Sequence, residues 1–335
     1  MDRFFTRLLT LLFMAGLLVL GAGLWWLNQP MALKLQPGAS VADLEIEPGT
    51  AAATVAELIV ASGADVPTPL LQVWFRFSGQ ARQIKAGSYE IAAGTTPRGL
   101  LRMLVRGEEA LKSITLVEGW NFNQVRSALR KAEQLTPESA GLSPEMIMEK
   151  LGKPGVFPEG RFFPDTYTYA KGSSDLRVLQ RAAKAMDKRS EAAWALRTPD
   201  TPLKTPEQAL ILASIVEKET GKAADRAQIA GVFTNRLRVG MLLQTDPSVI
   251  YGLGDKYDGN LHRRDLQTDT PYNTYTRAGL PPTPIAMPGK AALLAAVQPA
   301  PTKALYFVAR GDGSSQFSAN LDDHNRAVNK YIRGQ

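Results

Sequence analysis

The chain of 335 residues contains no cysteine, which excludes disulfides, thiolate metal sites and cysteine nucleophiles. Histidine is nearly as scarce. His262 and His324 are the only two, far apart and without HExxH or i,i+4 spacing, so a histidine zinc site or a serine–histidine triad is disfavoured. No glycine-rich phosphate loop follows a strand. The net charge of +7 hints at an anionic surface or polymer nearby, but the basic residues are scattered and form no block. Without a basic stripe or a recognisable module, no nucleic-acid partner is expected, nor is any metal or cofactor. What remains for catalysis is acid/base chemistry by a carboxylate.

A hydrophobic content of 44% and a charged content of 21% describe a folded protein with room for more than one domain. Leu8 to Leu27 is a run without one charge. At about 1.5 Å per residue it spans roughly 30 Å, the thickness of a bilayer's hydrocarbon core. Arg3 and Arg7 precede it and the next charge is Lys34, which predicts residues 1–7 in the cytoplasm and the rest outside. Trp25 and Trp26 fall where an interfacial belt belongs. A cleaved signal peptide is the competing reading, but Gly21-Ala22-Gly23 before two tryptophans matches a cleavage site poorly. Both readings export the remainder.

After a connector, Asn28 to Gly38, short elements alternate. Leu44 to Glu47 reads as a strand, Thr54 to Ala61 as a helix, Val73 to Phe77 as helix or strand, Ala86 to Ile91 as a strand and Thr96 to Val105 as a capped helix. Ile114 to Val117 is a strand, followed by a helix over Asn123 to Glu133. Residues 134–158, rich in Pro, Gly and Ser around a short helix from Pro144 to Leu151, are expected at the periphery. Glu159 to Tyr169 packs aromatics among Gly, Pro and acids, a texture that either lines a groove for flat ligands or fills a core. Asp175 to Arg197 is an amphipathic helix. Leu305 to Ala309 and Gln316 to Ser318 form a hairpin around Gly311-Asp312-Gly313, and Asp322 to Ile332 is a closing helix.

Two glutamates sit in the helical run that opens at Thr205-Pro206, an N-cap and a first-turn proline. At about 100° per residue, Ile211, Leu212, Ile215 and Val216 make one apolar stripe and Glu219 falls near its centre. Glu217 falls on the opposite face, where water is expected. A carboxylate within an apolar stripe costs stability unless it is paired, protonated or used, so Glu219 is the candidate catalytic residue. Gly221 is expected to break the run before a second helix, Ala223 to Leu237. Beyond Gly240, Gln244-Thr245-Asp246-Pro247 either carries function or simply caps a helix. Asp269 to Thr276 and the proline-held loop Gly279 to Ile285 offer hydroxyl, amide and aromatic groups suited to a hydroxyl-rich substrate.

Ala213-Ser214-Ile215-Val216-Glu217-Lys218-Glu219-Thr220, Val232 to Leu237, Leu243 to Pro247, Tyr272 to Tyr275 and Gly279 to Pro282 together resemble the endolytic murein transglycosylase MltG (YceG-like) family. Val117-Glu118-Gly119 and Phe163 to Tyr167 extend the likeness. The resemblance implies an α+β protein of the bacterial inner membrane: a single transmembrane helix over 8–27, a small LysM-like α+β module over 28–108, and a larger α+β catalytic domain over 109–335. It implies Glu219 as the catalytic acid, then base, in non-hydrolytic cleavage of the MurNAc–GlcNAc bond inside glycan strands. Asn235, Gln244, Thr245, Asp246, Tyr272, Asn273 and Tyr275 are the candidate sugar-holding residues. The implied partners are peptidoglycan glycan strands, inner-membrane lipid and peptidoglycan synthases. Two alternatives stand beside it: a two-carboxylate hydrolase using Asp246 or Asp165, and a non-catalytic wall-binding scaffold.

Overall fold

In the computed structural model residues 2–35 and 41–334 are described, and the chain divides into two compact units, Met1–Lys112 with Ala170–Gly172, and Ser113–Tyr169 with Ser173–Gln335. Mixed helix and strand run through both. The part of the connector from Gln36 to Gly38 lies outside the described residues, as does the side chain of Arg3.

The first unit opens with α1 (Asp2–Trp26), whose Arg7–Trp26 stretch of 20 residues has a mean hydropathy of 2.2 and is long and apolar enough to cross a bilayer. Its leucines and valines point outward without protein cover. Where it ends, the chain enters a small core at once: Leu27 and Met31 are buried, the Leu27 carbonyl accepts from Arg98 N at 3.2 Å, and Met31 N donates to the Thr95 carbonyl at 2.9 Å. The module then runs β1 (Ala32–Leu33), β2 (Val41–Ile46), α2 (Ala52–Ala61), β3 (Ala64–Asp65), α3 (Thr68–Phe77), β4 (Gly87–Ala92) and α4 (Pro97–Arg106). The ambiguous Val73 to Phe77 run is thus helical. Strands β2 and β4 pair antiparallel, with Val41 opposite Ala92 and Ile46 opposite Gly87. Alternation along β2 sends Ala42, Leu44 and Ile46 inward, where they meet Val55, Ile59, Leu71 and Phe75 from the two helices. Thr96 caps α4, its hydroxyl accepting from Gly99 N at 3.0 Å, and Gly107 ends it at φ 70°, a left-handed position suited to glycine.

The second unit contains β5 (Leu111–Thr115), α5 (Phe122–Lys131), α6 (Pro144–Lys150), β6 (Thr166–Ala170), α7 (Asp175–Ala195), α8 (Pro206–Glu219), α9 (Ala223–Arg238), α10 (Asp246–Leu253), α11 (Arg263–Gln267), α12 (Lys290–Val297), β7 (Tyr306–Ala309), β8 (Ser315–Ser318) and α13 (Leu321–Val328). β5 pairs with β6, and β7 with β8 as the expected hairpin. The expected closing helix ends its α-helical part at Val328 and continues as a π-helical turn over Asn329–Arg333.

Helix α8 is the centre of this unit. Every residue from Ala209 to Val216 is buried, and α7, α9, α10 and α12 pack around it. A helix apolar on all sides is an interior helix, not an amphipathic surface one, and this decides where its two glutamates go. The segment over 134–158 is mostly exposed, as its composition suggests, but a few of its side chains reach the interior. Leu135, Ile147 and Met148 join one core with Phe162, Tyr167 and Tyr169. Ser139 hydrogen-bonds the buried Asp175 through both backbone N, at 3.0 Å, and hydroxyl, at 2.5 Å. The aromatic run after Glu159 therefore mainly fills that core.

Candidate active site

The Thr205 hydroxyl accepts from Gln208 N at 3.2 Å and Pro206 takes the first helical position, which fixes where α8 starts. The helix stops at Glu219, because Thr220 turns to extended backbone (φ −149°) and Gly221 follows. Glu219 thus stands at the inner end of a buried helix, partly exposed itself. Its carboxylate Oε1 accepts a hydrogen bond from the Thr245 hydroxyl.

Thr245 occupies the N-cap position of α10, yet its hydroxyl makes no capping bond there. It is turned to Glu219 instead. A small network holds it so: Thr245 N donates to Thr274 Oγ1 at 3.0 Å, Ser248 Oγ donates to the Thr245 carbonyl at 2.8 Å, and the Ser248 and Thr274 hydroxyls meet at 2.9 Å. All three residues are buried. Gln244, just before, is exposed and held at φ 49°, an uncommon value outside glycine that marks a constrained turn.

Loss of water pushes the Glu219 pKa up to about 7, and the negative charge of Asp246 pushes the same way. The Thr245 hydroxyl and the Arg236 guanidinium pull against it. Asp246 is exposed and accepts from the Tyr275 hydroxyl at 2.6 Å. Arg236, near the end of α9, is buried and donates to the carbonyls of Leu305 (2.7 Å) and Leu243 (2.7 Å), with its guanidinium 5.4 Å from the centre of the Tyr306 ring. It anchors the loop that delivers Gln244 and Thr245 while placing a positive charge near Glu219. Arg236 was not among the sequence candidates. A buried cation two residues from a helix end is the signal that marks it, and that signal exists only once the burial is known.

Glu217 does not face water as its helical position predicts. It is half-buried, and its Oε2 accepts from Gly289 N at 2.9 Å at the start of α12. Desolvation raises its pKa; Gly289 N opposes the rise and the neighbouring Glu118 adds to it. The reason for the difference is that α8 has no solvent face: the side opposite Ile211 and Ile215 is covered by the loop into α12.

Gln244, Thr245, Asp246 and Tyr275 are thus gathered at the end of α8. Tyr272 lies further along a groove, its hydroxyl 2.9 Å from Thr283 Oγ1 and its ring edge-on to Tyr251. Asn273 is fully buried, its amide donating to the carbonyls of Thr268 (2.7 Å), Leu266 (3.1 Å) and Asp265 (3.2 Å), so it shapes the loop. Asn235 lines a separate cavity of about 590 Å³ and donates to the Thr302 (2.8 Å) and Ala304 (3.0 Å) carbonyls. Glu159, a buried carboxyl, was also missed as a candidate. Desolvation raises its pKa to about 7 against hydrogen bonds from Phe122 N and the Tyr251 hydroxyl.

The sequence pattern of the YceG-like family matches residues 44–330. The chain belongs to the YceG-like family. An endolytic murein transglycosylase of Bacillus subtilis (strain 168) is 31% identical over 313 residues, covering 87% of this chain and 84% of the relative. One of Streptococcus pneumoniae serotype 2 is 29% identical over 286 residues, 75% of this chain and 51% of the relative, so the chain spans about half of that longer protein. The crystal structure of a YceG-like protein from Listeria monocytogenes superposes with a TM-score of 0.54 at 26% identity, covering 86% of this chain and 98% of that one. The superposition covers most of the present chain, and the family match spans the elements that carry Glu219 and Thr245.

Proposed function

We propose that the protein is an endolytic lytic transglycosylase of peptidoglycan that cleaves the MurNAc–GlcNAc bond within nascent glycan strands, leaves 1,6-anhydro-MurNAc ends and so terminates strand elongation. The observation that carries this is Glu219: a desolvated carboxyl, near neutral pKa, held by one hydroxyl at the inner end of a helix. The names of the relatives support the substrate. In the first step the protonated Glu219 gives its proton to the glycosidic oxygen as that bond breaks. The substrate's acetamido group supports the positive centre. The same carboxylate, now ionised, takes the proton of the C6 hydroxyl, whose oxygen closes the anhydro ring. No water is consumed, and Glu219 ends protonated as it began. One carboxylate suffices, unlike a two-carboxylate glycosidase.

Thr245 aims the Glu219 carboxyl, and Gln244, Asp246, Tyr272 and Tyr275 are assigned to the sugars. Asn235 and Asn273 act through the loops they fix. In the first unit, β2, α2, α3 and β4 follow a strand–helix–helix–strand order suited to a LysM-like module. A groove of about 790 Å³ lined by Ala53, Gln72, Val73, Arg76 and Arg82 is placed to hold a glycan and raise its local concentration. Helix α1 anchors the chain in the inner membrane with residues 28 onward outside, where peptidoglycan synthases are the expected partners.

The hydrolase alternative has one observation in its favour, the negative charge of Asp246 close to Glu219. Against it, the Tyr275 hydroxyl occupies that carboxylate. Asp165 is exposed and tied to its own turn by Thr166 N at 2.8 Å. Incubation of the full chain in detergent with sacculi, followed by mass spectrometry, is expected to give muropeptides lighter by one water than the reducing form. Reducing ends alone support the hydrolase, and no digestion supports the scaffold.

Thr245→Val tests the aiming role. The Thr245 hydroxyl stabilises the charged carboxylate, so its loss raises the Glu219 pKa further above about 7. The acid form then persists to higher pH, and the basic limb of the kcat/KM profile moves upward while the maximum falls by roughly tenfold, the scale of one hydrogen bond to a charged group. An unmoved limb contradicts the assignment.

A further inference from the structure

A groove of about 750 Å³ opens beside the end of α8, with Lys218 and Pro247, the chain neighbours of Glu219 and Asp246, at one end. Tyr251 and Tyr257, and Asn123 and Ser127 of α5, also line it. Among prolines, isoleucines and a few charged groups, its lining carries amide, hydroxyl and aromatic side chains (Asn121, Asn123, Gln124, Ser127, Tyr251, Tyr257), the chemistry that recognises polyhydroxyl rings by hydrogen bonds and stacking.

One buried side chain ties its two walls. Glu159 is 3% exposed, and its carboxylate accepts from Phe122 N, at the first residue of α5, at 3.0 and 3.2 Å. It also accepts from the hydroxyl of Tyr251, on α10, at 3.1 Å. The backbone beneath Glu159 is fixed as well. Gly160 adopts φ 76°, and a Cβ there would lie 2.4 Å from Pro284 Cβ, so only glycine fits. Tyr251 in turn packs edge-on against Tyr272, with ring centres 4.9 Å apart. The C-terminal half of α10 and the start of α5 are thus spaced by one carboxyl.

We propose that this groove holds the glycan strand on one side of the bond that Glu219 cleaves, and that Glu159 is a positioning residue that sets the distance between the α5 and α10 walls. The proposal rests on the transglycosylase reading above. Cleavage within a strand requires sugars held beyond the scissile bond, and this groove of about 750 Å³ is lined by Lys218 and Pro247, the chain neighbours of Glu219 and Asp246. Glu159 reaches substrate only through Tyr251 and the start of α5; it takes no part in proton transfer.

The test uses the full chain in detergent with peptide-free glycan strands sorted into long strands and the shortest length cleaved. Tyr257→Ala and Asn123→Ala, both toward the rim, are expected to raise KM for long strands about tenfold relative to the shortest, with kcat changed much less. Glu159→Ala is expected to do the same. Glu159→Gln, whose amide oxygen still accepts from Phe122 N while its nitrogen donates to the Tyr251 oxygen, is expected to recover most of that loss. Equal losses at both lengths, or none, for the two rim variants overturn the groove assignment. Complete loss of turnover in a folded Glu159→Gln protein overturns the positioning role and makes Glu159 a proton-transfer group. Products without anhydro ends from the unaltered protein count against the transglycosylase reading, whatever the length preference.

Discussion

Glu219→Gln is expected to lose at least about a thousandfold in kcat, because in the proposed mechanism it removes the one group that both gives and takes the proton. Glutamine preserves the size of the side chain, and its amide oxygen still accepts from Thr245. The fold, the groove and the affinity for glycan are therefore expected to survive, so the loss falls on kcat and leaves KM nearly unchanged. The variant is also expected to be more stable than the parent above neutral pH. A carboxyl whose folded pKa is about 7, above its ordinary value of 4.5, binds more protons folded than unfolded between those values, so stability declines across that window as pH rises. A neutral amide removes that decline. Glu217→Gln is the control. Its amide oxygen still accepts from Gly289 N, so turnover is expected to stay within about tenfold of the parent. Loss in Glu217→Gln with retention in Glu219→Gln would reverse the roles.

Replacing Arg236 by Met has the largest expected effect on the fold. Methionine keeps much of the apolar stem but leaves the Leu305 and Leu243 carbonyls, both bonded at 2.7 Å in the parent, without their donor. One buried and one part-buried carbonyl at roughly 1–3 kcal/mol each give a loss of about 2–6 kcal/mol, which brackets the roughly 3–5 kcal/mol seen when one partner of a buried charged arrangement is removed. The Leu242–Leu243 stretch would then release Gln244 from its φ of 49°, and Thr245 would drift from Glu219. Activity should fall even at temperatures where the variant is folded, and the Glu219 pKa should rise because a neighbouring positive charge is gone. Arg236→Lys keeps the charge but cannot reach two carbonyls with a planar fork, so it should fall between the two. Denaturant unfolding alongside kcat/KM separates the effects, and a Met variant within about 1 kcal/mol of the parent contradicts the anchoring role.

What the sequence made legible follows from local physics. Thr205-Pro206 and Gly221 mark where α8 begins and where the helical run breaks, and alternation along Leu44 to Glu47 and around Gly311-Asp312-Gly313 marks strands. The choice of Glu219 also came from local periodicity. The same periodicity misplaced Glu217, because a helical wheel assumes one wet side and α8, buried from Ala209 to Val216, has none. Thr245 was legible as a cap position but not as a donor to Glu219, since a hydroxyl's partner across 26 residues leaves no mark in the sequence nearby. The core contacts made by residues 134–158 were illegible for a related reason. Leu135, Ile147 and Met148 are the few buried apolar side chains in a mostly exposed segment, and Ser139 finds its acid 36 residues away. Arg236 and Glu159 act wholly through such distant partners, so only folding reveals them.

The central claim is that the bond is broken without water, by Glu219 acting twice. Digestion of sacculi by the full chain in water enriched in heavy oxygen tests it most directly. Ring closure by the C6 oxygen predicts new MurNAc ends that are anhydro and carry no heavy oxygen; one heavy oxygen per new end would contradict it.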